Sequence, residues 1–549
     1  MNKLIRLFFY YLFSRKLNHL RYWKMLRFYP PVSPDKRILD RWNRSEWPDY
    51  QCWIDVNSVN TLQQWDRVHQ QHRPFNQSLA ISIVTPVFNT KVNVLQECIL
   101  SVRFQTNPYW QLILVDDGST DEDTLSVLNS RLCHDPRIHI IINDHGSSGI
   151  SAASNRGIAE ASGNYIAFLD HDDRLAADAI QQFYDALQIN PAIDILYSDR
   201  DMISTGDKRF MYLMKPDWSP ETLLSGNYLF HFMCYRKLLI NQVGGLRSDY
   251  DGSQDYDLIL RCSDHHPVVK HVPRVLYHWR QCELSVSLDE NAKGYAFDAG
   301  IRALEDTLER RDIKASVIEN KALWRGNYQL QFDSGVTSSV KEIMIDSLSP
   351  VTDYSSKKQP LFFHATDYHA ENAQSVDELA AWLSVDGVGI VCGKCISPDN
   401  TIIYGGAVMK SDGDVLFPYR GETVKEPGYM AITQIVHNIS VPDYHCFLVK
   451  PSLWDALGGF DTTFQSFSYQ VYDLALRAAA KGWRVVYNPR SVFVCDSAPE
   501  VLAEQNNDQK RFSEKWREWL DRGDPFHSPN LSQQSSCYEI RCPSTHHDL

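Results

Sequence analysis

Asp170, His171, Asp172 and Asp173 stand in a row directly after the apolar run "NYIAFL". Adjacent carboxylates repel one another and resist leaving water, so a strand end is a costly place for three of them without a cationic partner. Asp170 and Asp172 are two apart, and on an extended segment that spacing sends both carboxylates off one face. Paired oxygens of this kind grip a hard divalent cation, Mn2+ or Mg2+. His278, in "VLYHWR", is a candidate nitrogen ligand, which favours Mn2+ slightly. The competing reading makes Asp172 or Asp173 the N-cap of a helix over 174–187. Three acids exceed what capping requires.

Other residue types point to a nucleotide and a sugar. "VDDGSTD" places Asp116 and Asp117 in a loop after a strand, where a carboxylate can accept the ring N–H of uracil, thymine or guanine. An Asp-capped turn is the alternative. "TPVFN" puts Pro86, Phe88 and Asn89 at the end of another strand, where a ring can stack on a base or simply pack. Asn155 lies in a helix of small residues near the same strand ends. "MKPDWSP" offers Lys215, Asp217 and Trp218, and "YHWR" offers Trp279 and Arg280, as acceptor-side candidates. A packed Trp and a surface ion pair account for the first three almost as well, and Trp279 and Arg280 can simply pack. In "SQDYDLILR" both Asp255 and Asp257 open a helix, and Asp257 is spaced to pair with Arg261 at i+4.

The elements that must position these groups read as α/β. Strands are expected at 80–88, 110–120, 137–144 and 164–170, with helices near 91–104 and over 149–163, the latter closed by Gly163 as C-cap. Continuous apolar strands alternating with helices imply a parallel sheet covered on both faces. Ligands bind such sheets at the carboxyl ends of strands, where both acidic clusters fall.

The chain has 549 residues, which suggests two or three domains, and a net charge of −13, which argues against a nucleic-acid binder. The first 27 residues hold seven cations and no acid, so the remainder carries −20. Their apolar run, Leu7 to Phe13, is too short to span a bilayer, and no signal-peptide cleavage site follows it. A peripheral element on an anionic leaflet is expected there. The twelve scattered cysteines suggest reduced thiols, and the pair in "VCGKC", Cys392 and Cys395, reads as structural.

The sequence also repeats itself. "YDLILR" at 256–261 recurs as "YDLALR" at 472–477, "VGGL" as "LGGF", and Pro273-Arg274 as Pro489-Arg490. The 216-residue offset of the first and last of these matches pairs Asp255 with Val471 and His278 with Val494. "PLFFHATDYH" replaces "IAFLDHDDRL", setting His364, Ala365 and Thr366 against Asp170, His171 and Asp172.

"ISIVTPVFNT", "LILVDDGSTD", "GISAASNRGIAEASGNYIAFLDHDDRL", "YSDRD", "MKPDWSPETLLSGNYL", "GGLRSDYDGSQDYDLILR" and "PRVLYHWR" together resemble family 2 glycosyltransferases of the GT-A fold. The likeness is strongest to long bacterial enzymes of surface-polysaccharide and O-antigen assembly. It implies a nucleotide-diphospho-sugar pocket at Pro86, Phe88, Asn89, Asp116, Asp117, Asn155 and Asp170, metal contact through Asp170, Asp172 and His278, and Asp255 as catalytic base. Many relatives have Ala-Arg-Asn where this chain has Ala153-Ser154-Asn155. The implied activity is inverting transfer to a glycan or lipid-linked glycan, at the cytoplasmic face of the inner membrane and beside other polysaccharide-assembly enzymes. The alternative is a non-catalytic carbohydrate-binding or scaffold protein of such a complex. The expected organisation is a membrane-associating segment (1–30), a lead-in (31–77), a catalytic GT-A domain (78–315), a truncated, degenerate GT-A-like domain (316–525) and a disordered tail (526–549). A nucleotidyltransferase or dinucleotide oxidoreductase is excluded, because no glycine-rich phosphate loop follows any strand.

Overall fold

The structure is a computed structural model that describes residues 32–71, 76–281, 294–333, 339–345, 358–496 and 506–541. The basic segment 1–30 lies outside the described residues. The described residues form two compact units, the first lying within 32–214 and 229–299, the second within 215–228 and 300–541.

The first unit is built on β1 (Ile81–Val87), β2 (Trp110–Asp116), β3 (Ile138–Ile142), β4 (Tyr165–Phe168), β5 (Arg174–Leu175), β6 (Ile195–Ile203), β7 (Arg209–Leu213), β8 (Met233–Arg236) and β9 (Val269–Arg280). They pair in the order β3-β2-β1-β4-β8-β6-β9-β5, with β7 on β6. β1 runs parallel to β2 and β4, and β6 parallel to β9. β8 is antiparallel to both β4 and β6, which restores one common direction across it. The carboxyl ends of β1, β2, β4, β6 and β9 therefore share one edge. Every residue of β1, β2 and β6 is buried, as continuous apolar strands require. The helices Val92–Arg103, Ile150–Glu160 and Ala179–Ile189 are amphipathic covers for this sheet.

Several expectations need correction. Asp173 caps no helix: Arg174–Leu175 is a two-residue strand on β9, and the next helix begins at Ala179 with Asp178 before it. The small-residue helix ends at Glu160 with Ala161 as cap, not Gly163. Gly163 instead lets the chain pass β1, since a Cβ there would lie 2.7 Å from the Ala80 carbonyl oxygen. The lead-in forms three helices, Lys36–Trp42, Pro48–Asn57 and Leu62–Gln70, the last opened by a Thr61–Gln64 capping box. Part of the tail expected to be disordered is ordered. Leu531 bridges Ile540, His527 and Ser528 are buried, and the Tyr538 ring stacks against Tyr419 and Tyr429. A few aromatic and aliphatic anchors are enough to hold an otherwise polar segment. Nine described cysteines are free thiols, Cys392 and Cys395 among them and both buried, but Cys52 is disulfide-bonded, contrary to the expectation of uniformly reduced thiols.

The second unit repeats the first in its strand order. Its main sheet runs Lys341–Ile345, Leu361–Ala365, Cys446–Val449, Val388–Ile396, Arg484–Cys495, Tyr368–Ala370. Parallel and antiparallel steps follow the same sequence as β1-β4-β8-β6-β9-β5. Among the described residues nothing in this sheet corresponds to β2 and β3. The register also corrects the sequence alignment by one residue. Arg174 pairs with His278, and His369 pairs with Val494, the counterpart of His278. Ala365, Thr366 and Asp367, rather than His364 to Thr366, thus stand where the first unit has Asp170 to Asp172.

Gly157 marks how tightly the Ile150–Glu160 helix lies on the sheet: a Cβ there would sit 2.5 Å from Val84 Cγ1 and 3.1 Å from Val115 Cγ2. Gly157→Ala is expected to destabilise the chain by about 1–3 kcal/mol through overpacking, read as a lower urea midpoint at unchanged slope.

Candidate active site

The turn after β2 is fixed by a carboxylate with an unusual number of donors. Asp117 accepts from Asn143 Nδ2 at 3.1 Å, Ser147 Oγ at 2.7 Å, Ser148 N at 2.9 Å, Ser148 Oγ at 2.6 Å and Gly149 N at 2.9 Å. Burial pushes its pKa up, but the hydrogen bonds from Ser148, Ser147 and Asn143 outweigh that and hold it down at about 2. Asp117 therefore staples the 116–120 turn to the loop that opens the Ile150–Glu160 helix. Asp116 is also buried, and its Oδ1 accepts the Ser119 N–H at 3.0 Å. Asn89 joins the ends of β1 and β2, its Oδ1 accepting from Thr120 N at 2.9 Å and Asp121 N at 3.0 Å. Pro86 is buried within β1, whereas the Phe88 ring is 45% exposed at the same edge.

The 170–173 turn is held from β9. Tyr277 donates its hydroxyl proton to Asp173 Oδ2 at 2.5 Å, and Arg280 N donates to Asp173 Oδ1 at 2.7 Å. Burial, then the neighbouring Asp172 and Asp170 carboxylates, raise the Asp173 pKa well above the usual range. Asp173 is thus the buried foot of the turn. Asp170 and Asp172 are half-exposed on it. Thr90 Oγ1 lies 2.9 Å from His171 Nδ1, and His231 Nε2 lies 3.5 Å from Asp170 Oδ2. Arg280, expected to face an acceptor, spends its guanidinium on the turn: Nε reaches the Asp172 carbonyl oxygen at 2.9 Å and Nη2 reaches Glu97 at 2.6 Å. Trp279 remains half-buried in an aromatic cluster with Phe230, His231 and the Arg200 guanidinium.

The pairing of Arg174 with His278 brings the backbone of His278 beside this turn, two residues beyond Asp172. His278 is buried, and its Nδ1 is 2.6 Å from Asp201 Oδ1. Burial lowers its pKa to about 4 despite Asp201, so the ring is neutral. Asp201 is itself held at about 2, Arg209 and His278 outweighing the cost of its burial. Among the described residues, no group of three His, Cys, Asp or Glu side chains converges tightly enough to hold a metal ion. The donor set nevertheless suits a divalent cation in kind: two half-exposed carboxylates and a ring nitrogen kept unprotonated.

Asp255 lies in the first turn of the Gln254–Ser263 helix, half-buried, with Oδ1 accepting the Tyr256 N–H at 2.8 Å. Asp257 is fully buried between Arg247 and Arg261, the latter at 2.7 Å, in the i+4 pairing that its spacing implied. Asn155 bonds to a backbone segment. Its Nδ2 donates to the Leu246 carbonyl at 2.8 Å and its Oδ1 accepts the Leu246 N–H at 2.9 Å, bracing the loop that leads to Asp255. Lys215, Asp217 and Trp218 belong to the second unit, where Lys215 is fully buried and Asp217 N donates to the Pro525 carbonyl at 2.7 Å. That segment is fastened further by Glu221, which accepts from Arg484 at 2.7 Å and from Asn438 at 2.6 Å.

Sequence reasoning assigned no role to His231, Thr90, Glu97, Asp201 or Tyr50. An imidazole within the apolar "YLFHFMCY" and the second acid of "YSDRD" were the available signals. Tyr50 carried none.

The depressed pKa of Asp117 sets a pH window. Its stabilisation is complete above the unfolded value of 3.8 and is lost as pH falls toward about 2. Asp117→Asn is expected to cost about 1–3 kcal/mol at pH 7 and to flatten the fall in urea midpoint between pH 4 and pH 2 that the parent shows.

Residues 82–245 match the family model described as Glycosyl transferase family 2. The chain is 28% identical over 527 residues to the O-antigen biosynthesis protein RfbC of Myxococcus xanthus, covering 82% of this chain and 40% of that protein. It is 29% identical over 543 residues to a protein of Sinorhizobium fredii named as uncharacterized, covering 84% of this chain and 59% of the other. The chain therefore spans less than two thirds of the length of these relatives. A chondroitin synthase of Escherichia coli is 29% identical over 199 residues, covering 36% of this chain and 28% of that enzyme. Among solved structures, Staphylococcus aureus TarS 1–349 in complex with UDP-GlcNAc aligns at 16% identity and a TM-score of 0.34, over 42% of this chain and 66% of that one. The matched residues 82–245, which carry the sheet from β1 to β8, are thus similar to the family 2 glycosyltransferases.

Proposed function

We propose that residues 78–315 move a sugar, with inversion, from a nucleotide-diphosphate donor to a hydroxyl of a glycan, lipid-linked in the assembly of O-antigen or another cell-surface polysaccharide. The observation that carries this reading is the 170–173 turn, whose two half-exposed carboxylates stand at the carboxyl edge of the sheet beside His278. The name of the Myxococcus relative supports the polysaccharide setting. The donor in the Staphylococcus complex title, UDP-GlcNAc, is that protein's own, and a uridine or other nucleotide is proposed here from the carboxylate-lined strand ends.

In this reading the base stacks at Phe88, and the Asn89, Asp116 and Asp117 turn shapes the pocket for base and ribose. Asp170 reaches the ribose and diphosphate side. Asp170 and Asp172, with His278 as a further donor, would hold a divalent cation, which when bound offsets the charge gathering on the departing diphosphate. Asp255 takes the proton of the acceptor hydroxyl as that oxygen forms its bond to the anomeric carbon. The bond from that carbon to the diphosphate oxygen breaks on the opposite face, and the diphosphate leaves with the electron pair. A helix N-terminus is a favourable place for the carboxylate that does this. Asp257, already committed to two arginines, is not available for the task.

The second unit is proposed to be without transfer activity of its own. Ala365, Val471 and Val494 stand for Asp170, Asp255 and His278, and its sheet lacks counterparts of β2 and β3 among the described residues. Among the described residues no helix is long and apolar enough to cross a membrane. The basic, aromatic residues 1–30 are proposed to attach the protein to the cytoplasmic face of the inner membrane, and a form lacking them is expected to leave sedimented anionic vesicles for the supernatant.

Asp255→Asn is expected to lower kcat for transfer by about 100- to 10,000-fold while Mn2+-dependent binding of nucleoside diphosphate is retained. The check is nucleoside diphosphate release across a panel of nucleotide sugars. Transfer at the parent rate by the variant would remove Asp255 from its role. Absence of release by the parent with every donor and acceptor tried would favour the scaffold reading.

A further inference from the structure

Four groups buried behind the candidate site are joined in one chain of hydrogen bonds, and one of them comes from the lead-in. Tyr50, Asp201, Arg209 and His278 sit on the Pro48–Asn57 helix, β6, β7 and β9, each less than 5% exposed. Tyr50 Oη donates to Asp201 Oδ2 at 2.6 Å, and Arg209 Nε donates to the same oxygen at 2.5 Å. Asp201 Oδ1 is thereby left for His278 Nδ1 at 2.6 Å. The direction of the Tyr50 hydroxyl is also fixed. Arg209 Nη2 donates to Tyr50 Oη at 3.2 Å, so the phenolic proton is directed to the carboxylate. Arg209 Nη1 is held by Asn43 Oδ1 at 2.9 Å and Ser58 Oγ at 3.1 Å, and its backbone N–H by the Arg44 carbonyl at 2.7 Å. Asn43, Arg44, Tyr50 and Ser58 all precede the matched residues 82–245.

We infer that the lead-in helix Pro48–Asn57 is a working part of the transfer site: Tyr50, with Arg209, orients the Asp201 carboxylate, and Asp201 fixes the His278 ring with Nδ1 protonated and Nε2 carrying the lone pair. This rests on the reading of His278 as a site residue. A carboxylate can only accept, so its partner nitrogen carries the hydrogen, and the other nitrogen is presented as a donor of electrons. An ionised carboxylate at this depth is tolerated only with several donors, and Tyr50 is one of three. Tyr50 and Asp201 are positioning residues in this account; neither touches substrate.

The second unit supplies an independent argument. There Val494 stands for His278, and the strand partner of Val494 is Ile396, as the strand partner of His278 is Asp201. Both members of the pair are apolar, yet the sheet keeps the same strand order. The fold therefore does not require the Asp–His pair, and the unit that lacks one member lacks both.

The test uses the full chain. In Tyr50→Phe the ring stays and Asp201 keeps Arg209, so the variant is expected to retain the parent's circular dichroism and thermal midpoint within a few degrees. Its Mn2+ affinity, followed by electron paramagnetic resonance, is expected to fall about 10- to 100-fold. The 15N shifts of the His278 ring are expected to move from a single Nδ1–H form to a tautomer mixture. His278→Ala should lose at least as much affinity, and adding Tyr50→Phe to it should cost nothing further. If His278→Ala binds Mn2+ and transfers sugar as the parent does, the reading of His278 fails. If His278→Ala is impaired while folded Tyr50→Phe keeps the parent's affinity and tautomer, the positioning chain is overturned and the reading of His278 stands.

Discussion

The first unit is governed by the cost of taking carboxylates out of water at one edge of a sheet. Parallel strands deliver their carboxyl ends to a common edge, and this sequence places acids at the ends of β2 and β4 and in the second half of β6. Each buried acid has a dedicated set of donors. Asp117 is met by two backbone N–H groups, two serine hydroxyls and an amide, Asp173 by Tyr277 and Arg280, Asp201 by Tyr50, Arg209 and His278, and Asp257 by two arginines. A single missing donor at such a depth costs about 1–3 kcal/mol, so the partners must arrive together for the edge to form. Loops that look irregular in sequence are therefore tightly specified. Asp170, Asp172 and Asp255, the acids that the proposed chemistry places at the metal and at the acceptor, stay half-exposed.

That sorting explains why legibility was uneven. Strands β1 to β4 were readable because their apolar runs are long and bounded by turn chemistry, and Asp257's partner was readable because i+4 is a local distance. The competing reading of Asp173 as a helix cap does not hold. The true partners of Asp173, Tyr277 and Arg280, lie about a hundred residues away, and no local pattern reports them. Asn155 shows the same limit: a polar residue near strand ends reads as a ligand contact, and no local pattern reports the Leu246 backbone that both its amide atoms meet. Lys215, Asp217 and Trp218 were grouped by motif order with the first module, whereas the chain hands that segment to the second unit. Tyr50 was invisible, since one tyrosine in a lead-in rich in aromatics carries no spacing signal.

Where the repeat was concerned, the sequence carried the comparison further than any single motif did. The recurrence of "YDLILR" identified the second unit as a copy, and the strand order agrees through six strands. Only the position opposite Asp170 shifted. Gapped alignment across a divergent loop has a one-residue uncertainty that hydrogen-bond register does not share, because a slip of one would turn every side chain to the other face.

The two units also separate what builds this sheet from what is added to it. The second keeps Asp473 with Arg477 at i+4, the counterpart of Asp257 with Arg261, and both arginines reach back to carbonyls of the preceding glycine loop. That ion pair is architectural: it ties a helix to the turn before it in either unit. The acids absent from the second unit are of another kind. Asp170, Asp201 and Asp255 have Ala365, Ile396 and Val471 in their places, all three of them buried. Replacing a buried or half-buried acid by an apolar residue relieves desolvation cost, which is the direction expected where no function opposes it. The first unit bears that cost at all three positions, and does so with the help of a helix drawn from outside the family's matched region.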